Sequence, residues 1–370
     1  MKYIISFIKK ETVFTISFIL AIVSFFLVKP SSQCVSGIDF RVLVLLFSLM
    51  GVVAGLQRLL VFKRCGNFLT SKIKSTRLLY LLLIYLCFFS SMVLTNDVAL
   101  ITFVPFAIML LPSIKCEKNL ITIVILQTIA ANLGSMLTPL GNPQNLFLYS
   151  VSEMSFANFI IMMLPCWLVS LILVTVPIFF IKNETITCIP ETNLPPRNMK
   201  KELCYWILFT LCLLTVVRIL PFQILIGVVI ISLLIIDKKS LFEIDYFLLL
   251  TFVCFFLFIY NIKQIPAVNG YLSNIIEGKV FFVGLITSQI ISNVPSSLLL
   301  AGFTNDYKSL TLAVDVGGLG TLIASLASLI SFKLYSSCKY AKTGKYFLLF
   351  TLWNIIFLII LGSFTYFVLL

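Results

Sequence analysis

Apolar residues recur along almost the whole chain in runs of about 20 positions, and short polar segments separate the runs. Each run is long enough to cross the roughly 30 Å hydrocarbon core of a bilayer as a helix. Open strands cannot cross it, because lipid leaves their backbone groups without hydrogen bonds, so every run is predicted to be helical. The runs cover residues 12–29, 41–62, 78–94, 98–112, 119–139, 155–181, 203–219, 221–236, 244–262, 280–303, 310–332 and 347–370.

Basic residues in the connecting segments predict which side of the membrane each segment faces. Residues 9–10, both lysine, place the N-terminus in the cytoplasm, and the basic, acid-free loop 62–77 faces the same side. Lys239 and the basic cluster 333–345 also indicate cytoplasmic segments. Between them, run 244–262 crosses the membrane outward and run 310–332 crosses it inward. Run 280–303 therefore makes no net crossing. Because it is too short for two spans of about 20 residues, it is predicted to be a re-entrant hairpin entering from outside.

The middle of this hairpin is polar around Asn293 and Pro295, which are expected to break the helix. Region 78–112 has a similar polar middle at Asn96, between two arms that are short for spans. Two interpretations are open: two short full spans with Asp97 in an outside turn, or a re-entrant hairpin entering from the cytoplasm. The asparagine shared by both polar centres favours the hairpin.

The order of elements is the same in the two halves and their orientation is opposite, which predicts inverted repeats. The boundaries are 1–181 for the first repeat, with inner hairpin 78–112 and broken helix 119–152, then 182–220 for a linker and connecting helix, and 221–370 for the second repeat, with outer hairpin 280–303 and broken helix 310–332. The predicted fold is an all-α polytopic membrane protein with two re-entrant helical hairpins and two broken transmembrane helices. Such repeats place the substrate site near the membrane midplane.

Segment 131–145 carries a dense cluster of helix breakers and amides. Pro139 and Pro143 each remove a backbone donor, so the carbonyls freed there must be buried in protein or hydrated. These carbonyls, with Ser, Thr and Asn oxygens, suit a sodium ion. The free N–H groups of a half-helix starting near Pro143 suit an anion. The alternative is an ordinary loop that ends a span at Thr138.

Segment 315–328 is the counterpart in the second half, and its small residues could equally serve close helix packing. Asp97 and Asp315 are acids placed inside or at the edge of apolar runs, where each could bind Na⁺ or carry a proton. The alternative for Asp97 is an N-cap of a helix starting at Val98. The alternative for Asp315 is a place near the outer surface.

Composition narrows the class of protein further. Apolar residues make up 60% of the chain and charged residues 11%, with a mean hydropathy of +1.12, whereas soluble domains carry about 25% charged residues. The net charge of +13 sits in clusters typical of topology signals, which argues against a nucleic-acid partner. The chain has no histidine, so His-based metal sites and Ser-His-Asp triads are excluded. No catalytic residue set is predicted, and the chain is not expected to be an enzyme.

Residues 94–100 resemble the first hairpin tip of the ion transporter superfamily, which includes divalent anion/sodium symporters, citrate transporters and arsenite permeases. Residues 292–295 resemble the second tip, and residues 134–145 are similar to the first broken helix of that superfamily. The resemblance implies an inverted-repeat carrier with an elevator motion, often a homodimer, embedded in the lipid bilayer. It also implies Na⁺ or H⁺ as coupling ion and no other cofactor.

The predicted sites lie between the hairpin tips and the broken helices. The substrate-binding residues are predicted to be Thr95, Asn96, Thr138, Pro139, Asn142, Asn145, Ser292, Asn293 and Thr321. The resemblance implies ion-binding by Asn96, Asp97, Gly141, Ser292, Asn293 and Ala324, with no metal other than Na⁺.

These features predict a secondary active transporter that moves a small anion, either a carboxylate or an inorganic oxyanion. The expected location is the bacterial inner (plasma) membrane, with the N-terminus in the cytoplasm and the C-terminus outside. One alternative is an arsenite/antimonite efflux permease. Another is a Na⁺/H⁺ antiporter, although Asn142 stands where the antiporters carry an Asp.

Overall fold

The computed structural model describes residues 11–28, 32–70, 73–186 and 194–370. The helices are α1 (Thr12–Leu27), α2 (Phe40–Arg58), α3 (Val61–Thr70), α4 (Thr76–Leu94), α5 (Asn96–Ser113), α6 (Leu120–Ser135), α7 (Pro143–Val151), α8 (Phe156–Phe179), α9 (Met199–Val216), α10 (Phe222–Ile236), α11 (Lys239–Phe242), α12 (Tyr246–Lys263), α13 (Pro266–Ile276), α14 (Val280–Ile291), α15 (Asn293–Leu300), α16 (Tyr307–Val316), α17 (Leu326–Ser336) and α18 (Thr343–Phe364). Short 3₁₀ turns lie at Ser32–Gly37 and Glu117–Asn119, and α18 continues as a π-helical turn over Thr365–Leu369.

The predicted class, an all-α polytopic membrane protein, is confirmed. Among the described residues, six helices are long and apolar enough to cross a membrane, and a seventh crossing arises if the bent pair α13 and α14 counts as one. The described residues contain one isolated bridge, between Ser75 and Thr185, and no strand. Helices α4 and α5 have 19 and 18 residues, longer than the short arms that the sequence suggests for 78–112.

Three helices lie where the sequence predicts none, and the shortest of them is α11, with four residues. Helix α3 occupies most of the basic loop 62–77. A membrane span is identified by about 20 consecutive, mostly apolar residues, and this helix has too few apolar positions to be recognised in that way. Helix α13 begins at Pro266, a residue that fits the first turn of a helix, and it meets α14 at an angle of 106°.

Helix α6 runs through the middle of the packed helices, and all of its residues from Leu120 to Ser135 except Thr122 are buried. It lies close to α4 because Gly134 has no side chain: a Cβ atom there would lie 1.9 Å from the Phe88 carbonyl oxygen. Its buried Gln127 donates hydrogen bonds to the carbonyls of Leu83 and Phe103, both at 3.2 Å. The amide nitrogen of Gln127 is therefore held by the two neighbouring helices, α4 and α5.

The break in run 280–303 lies at Ser292 and not at Asn293 and Pro295, which corrects the sequence expectation. Asn293 is the first residue of α15, and Pro295 lies in the first turn of that helix. A proline is tolerated there because the backbone N–H groups of a first turn have no partner within the helix.

The second broken helix consists of α16 and α17, with a non-helical break over 317–325. The break needs no proline, because glycine supplies the unusual backbone: Gly320 has a φ of +102°. The predicted linker 182–220 ends in helix α9, and its residues 187–193 lie outside the described part of the chain.

Candidate functional site

Two hairpins, α4–α5 and α14–α15, turn at single residues with nearly the same backbone geometry. Thr95 has φ and ψ of 78° and 150°, and Ser292 has 75° and 155°. These angles belong almost exclusively to glycine and cost roughly 1–3 kcal/mol at other residues. Strained turns of this kind concentrate at functional sites, so both tips are candidates for ligand contact.

Each tip is attached to the break of a neighbouring helix by the same contacts. The N–H of Asn96 donates to the Gly141 carbonyl at 3.1 Å, and the N–H of Asn293 donates to the Ala324 carbonyl at 2.9 Å. The side-chain oxygen of each asparagine accepts a bond of 2.9 Å from the N–H of the next residue. The two halves of the chain therefore build the same local structure from different sequences.

A threonine in each break repeats this correspondence. Thr138 donates its hydroxyl to the carbonyl of Met92, and Thr321 donates its hydroxyl to the carbonyl of Gln289 at 3.1 Å. Met92 and Gln289 each stand three positions before their tip residue. The predicted substrate residues Thr138 and Thr321 thus tie breaks to hairpins, and Thr321 is exposed.

The two halves meet through Asn132, which the site prediction did not include. Its side-chain oxygen accepts hydrogen bonds of 3.0 Å from the Asn96 amide and the Ser325 hydroxyl. Its amide nitrogen donates to the Ser328 hydroxyl at 3.3 Å. Asn132 is 4% exposed, so this network joins the first tip to the second broken helix inside the protein.

Asp315 is the counterpart of Asn132 in the second half, because Asn132 precedes Gly141 by nine positions and Asp315 precedes Ala324 by nine. Its carboxyl accepts a hydrogen bond of 3.0 Å from the Gln144 amide, on the first broken helix. The side chains of Asn142 and Asn145 lie beside the same carboxyl. Asp315 is 2% exposed and not near the surface, which removes the alternative that the sequence left open.

Four helices begin at one small cavity of about 30 Å³. Their first residues, all lining the cavity, are Asn96, Pro143, Asn293 and Leu326. Each helix N-terminus carries a partial positive charge of about half a unit, although the N–H groups of Asn96 and Asn293 already donate to the carbonyls of Gly141 and Ala324. The convergence of four such ends suits a negatively charged or strongly hydrogen-bonding group.

Carboxyl groups border the same cavity. Asp97 and Asp245 line it, and both also line an adjoining cavity of about 200 Å³ with Thr95 and Asn142. Asp97 lies in the first turn of α5 and not at its N-cap, and its Oδ1 has no hydrogen-bond partner among the described residues. The described residues that line these two cavities include no lysine or arginine.

The predicted residues other than Thr138, Pro139 and Thr321 divide into three groups. Thr95, Asn96, Asp97, Asn142 and Asn293 line the cavities. The carbonyls of Gly141 and Ala324 hold the tips, and the Ser292 hydroxyl donates to the Ala324 carbonyl at 3.3 Å. Buried Asn145 instead holds its own break together, by donating to the carbonyls of Met136 and Thr138.

The residues that the site prediction missed carry contacts between the halves: Asn132, Gln144, Ser325 and Ser328. Gln144 contacts Asp315, which the sequence already indicates as a candidate for binding Na⁺ or a proton. The equal spacing of Asn132 and Asp315 before Gly141 and Ala324 is a signal that aligning the two halves would have revealed.

Comparison with known proteins shows which proteins this sequence is similar to. The citrate transporter family (CitMHS) matches residues 3–305. An uncharacterized transporter of Methanocaldococcus jannaschii is 31% identical over 329 residues, which cover 88% of this chain and 89% of that protein. The inner membrane protein YbiR of Escherichia coli is 32% identical over 322 residues, 84% of each chain. A silicon efflux transporter of Oryza sativa subsp. japonica is 31% identical over 145 residues, 39% of this chain and 29% of the rice protein.

The family match covers most of the chain, and two relatives match it over more than four fifths of their length. The chain is therefore a multi-pass membrane transporter and not an enzyme. It belongs to the citrate transporter family.

Proposed function

We propose that the protein is a secondary transporter that moves a small anion, a carboxylate or an inorganic oxyanion, with Na⁺ or H⁺ as coupling ion. The convergence of four helix N-termini on one cavity carries this proposal. Because the described lining residues include no lysine or arginine, the anion would be held by backbone N–H groups and by the amides of Asn96 and Asn293.

The proposed mechanism is alternating access by an elevator motion. In this scheme hairpins 78–112 and 280–303 enter the membrane from opposite faces, as parts of repeats 1–181 and 221–370. Each hairpin would move together with the broken helix that its tip contacts, because the tip–break hydrogen bonds join them into one unit. The proposal includes a cytoplasmic N-terminus, an outside C-terminus, a plasma-membrane location and a homodimer.

The test is flux into proteoliposomes that contain the purified protein. Labelled citrate, succinate and sulfate are offered under an imposed Na⁺ gradient, an imposed pH gradient, or neither. We expect gradient-dependent uptake of at least one anion, and loss of that uptake in Asn293→Ala. Flux that responds to no gradient and no anion would refute the proposal. Na⁺/H⁺ exchange without an anion would favour an antiporter instead.

Efflux of a neutral hydroxylated metalloid is the second candidate. It is favoured by the carboxyls of Asp97 and Asp245 at the cavities, which would repel an anion but accept hydrogen bonds from hydroxyl groups. The rice relative is named for silicon efflux. Efflux of arsenite or silicic acid from loaded proteoliposomes, with no uptake of any carboxylate or oxyanion, would establish this candidate in place of the first.

A further inference from the structure

The carboxyl of Asp315 is buried among the neutral amide side chains of Gln144, Asn142 and Asn145 and is not fully hydrogen-bonded by the described residues. One oxygen accepts from the Gln144 amide at 3.0 Å, and the other, Oδ2, has no donor among the described residues. The side chain lies inside the protein, 2% exposed, between the two broken helices. A buried ionised oxygen without a donor costs several kcal/mol unless a positive charge lies beside it.

Two more buried oxygens, on close sequence neighbours of Gln144, also lack donors among the described residues. They are Oδ1 of Asn142 and Oδ1 of Asn145, which are 3% and 0% exposed. Both asparagines lie beside the Asp315 carboxyl. The side-chain nitrogen of Asn145 donates to the carbonyls of Met136 and Thr138. These two hydrogen bonds orient the amide group, so the Asn145 oxygen faces away from both carbonyls.

We propose that Asp315, Asn142 and Asn145 bind a monovalent cation of the size of Na⁺. Three hard oxygens suit such an ion, and one positive charge neutralises the single carboxylate in a site that has no other charged side chain among the groups that contact Asp315. A divalent ion would leave a net charge buried. This site is separate from the tip-associated ion sites that the family resemblance implies, since it uses the Asp315 side chain.

A bound proton satisfies the site less well. A protonated Asp315 donates one hydrogen bond, which leaves one of the two asparagine oxygens unpaired, whereas a cation contacts all three oxygens at once. Binding itself does not depend on transport. That this cation is the coupling ion rests on the proposed function.

The cation would also join the two halves of the protein. Asp315 belongs to α16 of the second half, while Asn142 and Asn145 belong to the first broken helix. Asn142 in turn follows Gly141, whose carbonyl holds the Asn96 tip. Occupancy of the site would therefore stabilise the arrangement in which the first tip rests on its break.

The experiment measures binding to the purified protein in detergent, without transport. Binding of ²²Na⁺ and the thermal unfolding midpoint are recorded as NaCl replaces choline chloride at constant ionic strength, at two pH values. We expect saturable ²²Na⁺ binding and a midpoint that rises with Na⁺. Asp315→Asn should weaken binding by at least about tenfold and abolish the rise.

Asp306→Asn is the matched control, because it makes the same chemical change at the N-cap of the same helix. The Asp306 carboxyl accepts a hydrogen bond from the N–H of Ser309 there and lies outside the site. It should keep full Na⁺ binding. Asn142→Ala is the second variant, since it leaves the carboxylate in place. It should weaken Na⁺ affinity while the protein stays folded.

Undiminished ²²Na⁺ binding by Asp315→Asn would overturn the proposal. So would a wild-type protein that ignores Na⁺ but is stabilised by acid in an Asp315-dependent way, which would assign the site to a proton. Anion flux without Na⁺ binding would refute only the cation site. Na⁺ binding without anion flux would refute only the proposed transport function.

Discussion

The two broken helices place an equivalent polar residue at the same position, but the two residues differ in how fully they are hydrogen-bonded. Asn132 has both ends of its amide occupied, by Asn96, Ser325 and Ser328. Asp315 has a donor for only one of its oxygens within the described part of the chain. The same local structure therefore contains a neutral junction in one half, at Asn132, and an acidic junction in the other, at Asp315. The first is saturated, meaning that both ends of its side chain are hydrogen-bonded, and the second is not. Structural repetition fixes where a polar group lies, while its chemistry is set independently.

The largest effect is expected from Gly134→Ala, which breaks the packing beneath the Asn132 junction. The new Cβ would lie 1.9 Å from the Phe88 carbonyl oxygen, a backbone atom that cannot move aside alone. We expect a loss of about 3 kcal/mol in stability, measured as a lowered thermal unfolding midpoint in detergent.

Gly317→Ala, at the equivalent position in the second half, should reduce stability less than Gly134→Ala. The added Cβ atom would lie 2.7 Å from the Ala313 carbonyl oxygen and 2.9 Å from the Ser288 side chain, which are longer distances than at Gly134. Gly227→Ala is the control, since nothing lies within 4 Å of a Cβ there. Equal midpoints for Gly134→Ala and Gly227→Ala would show that α4 and α6 do not pack as described.

Asn132→Leu tests the saturated junction directly. The substitution keeps similar volume but leaves the Asn96 amide and the Ser325 hydroxyl without their acceptor. Such orphaned groups cost about 1–3 kcal/mol each, so a loss of about 2 kcal/mol is expected. Asn354→Leu is a useful control, because that buried amide donates to a carbonyl within its own helix, and its loss should cost less.

The strained tips should respond alike in both halves. Thr95→Gly and Ser292→Gly replace residues at positive φ with the one residue that adopts it freely, so each should stabilise the protein by about 1 kcal/mol. Ser297→Gly, inside α15, should destabilise by about 1 kcal/mol instead. Destabilisation by both tip glycines would contradict the backbone geometry given for the turns.

The smallest effect is expected from Asp315→Asn in Na⁺-free buffer. The new amide keeps an acceptor for Gln144 and gains N–H groups that can donate to Asn142 or Asn145. A gain of up to about 1 kcal/mol follows. A loss like that of Asn132→Leu would show that the Asp315 junction is already saturated, and the difference between the halves would disappear.

The sequence was sufficient for the helical membrane class and for most helices, because an apolar run of about 20 residues has few alternatives. It also identified Asn96 and Asn293, since a polar group inside an apolar run is conspicuous. It did not place Ser292 at the break, because a positive φ at serine depends on the packing around it. Two partners of Asn132, Ser325 and Ser328, lie almost 200 positions away, and no local pattern indicates such a contact.

Helix α13 and the burial of Asp315 are two further features that the sequence alone could not predict. Residues 266–276 are only moderately apolar, and whether they fold depends on the bend that follows them. Asp315 is a charged residue near the end of an apolar run, where the sequence equally suits a surface position. Its burial becomes understandable only when α7 is seen to supply Gln144.

Thiol labelling of Asn96→Cys and Asn293→Cys, each in a background without other cysteines, tests most directly whether both tips border one transport cavity. A membrane-impermeant reagent is applied to vesicles of each orientation, with and without citrate, succinate, sulfate or arsenite. Both positions should be protected by the same solute, because both line the cavity where four helices begin. Free labelling of both positions, unaffected by every solute, would contradict a shared site between the tips.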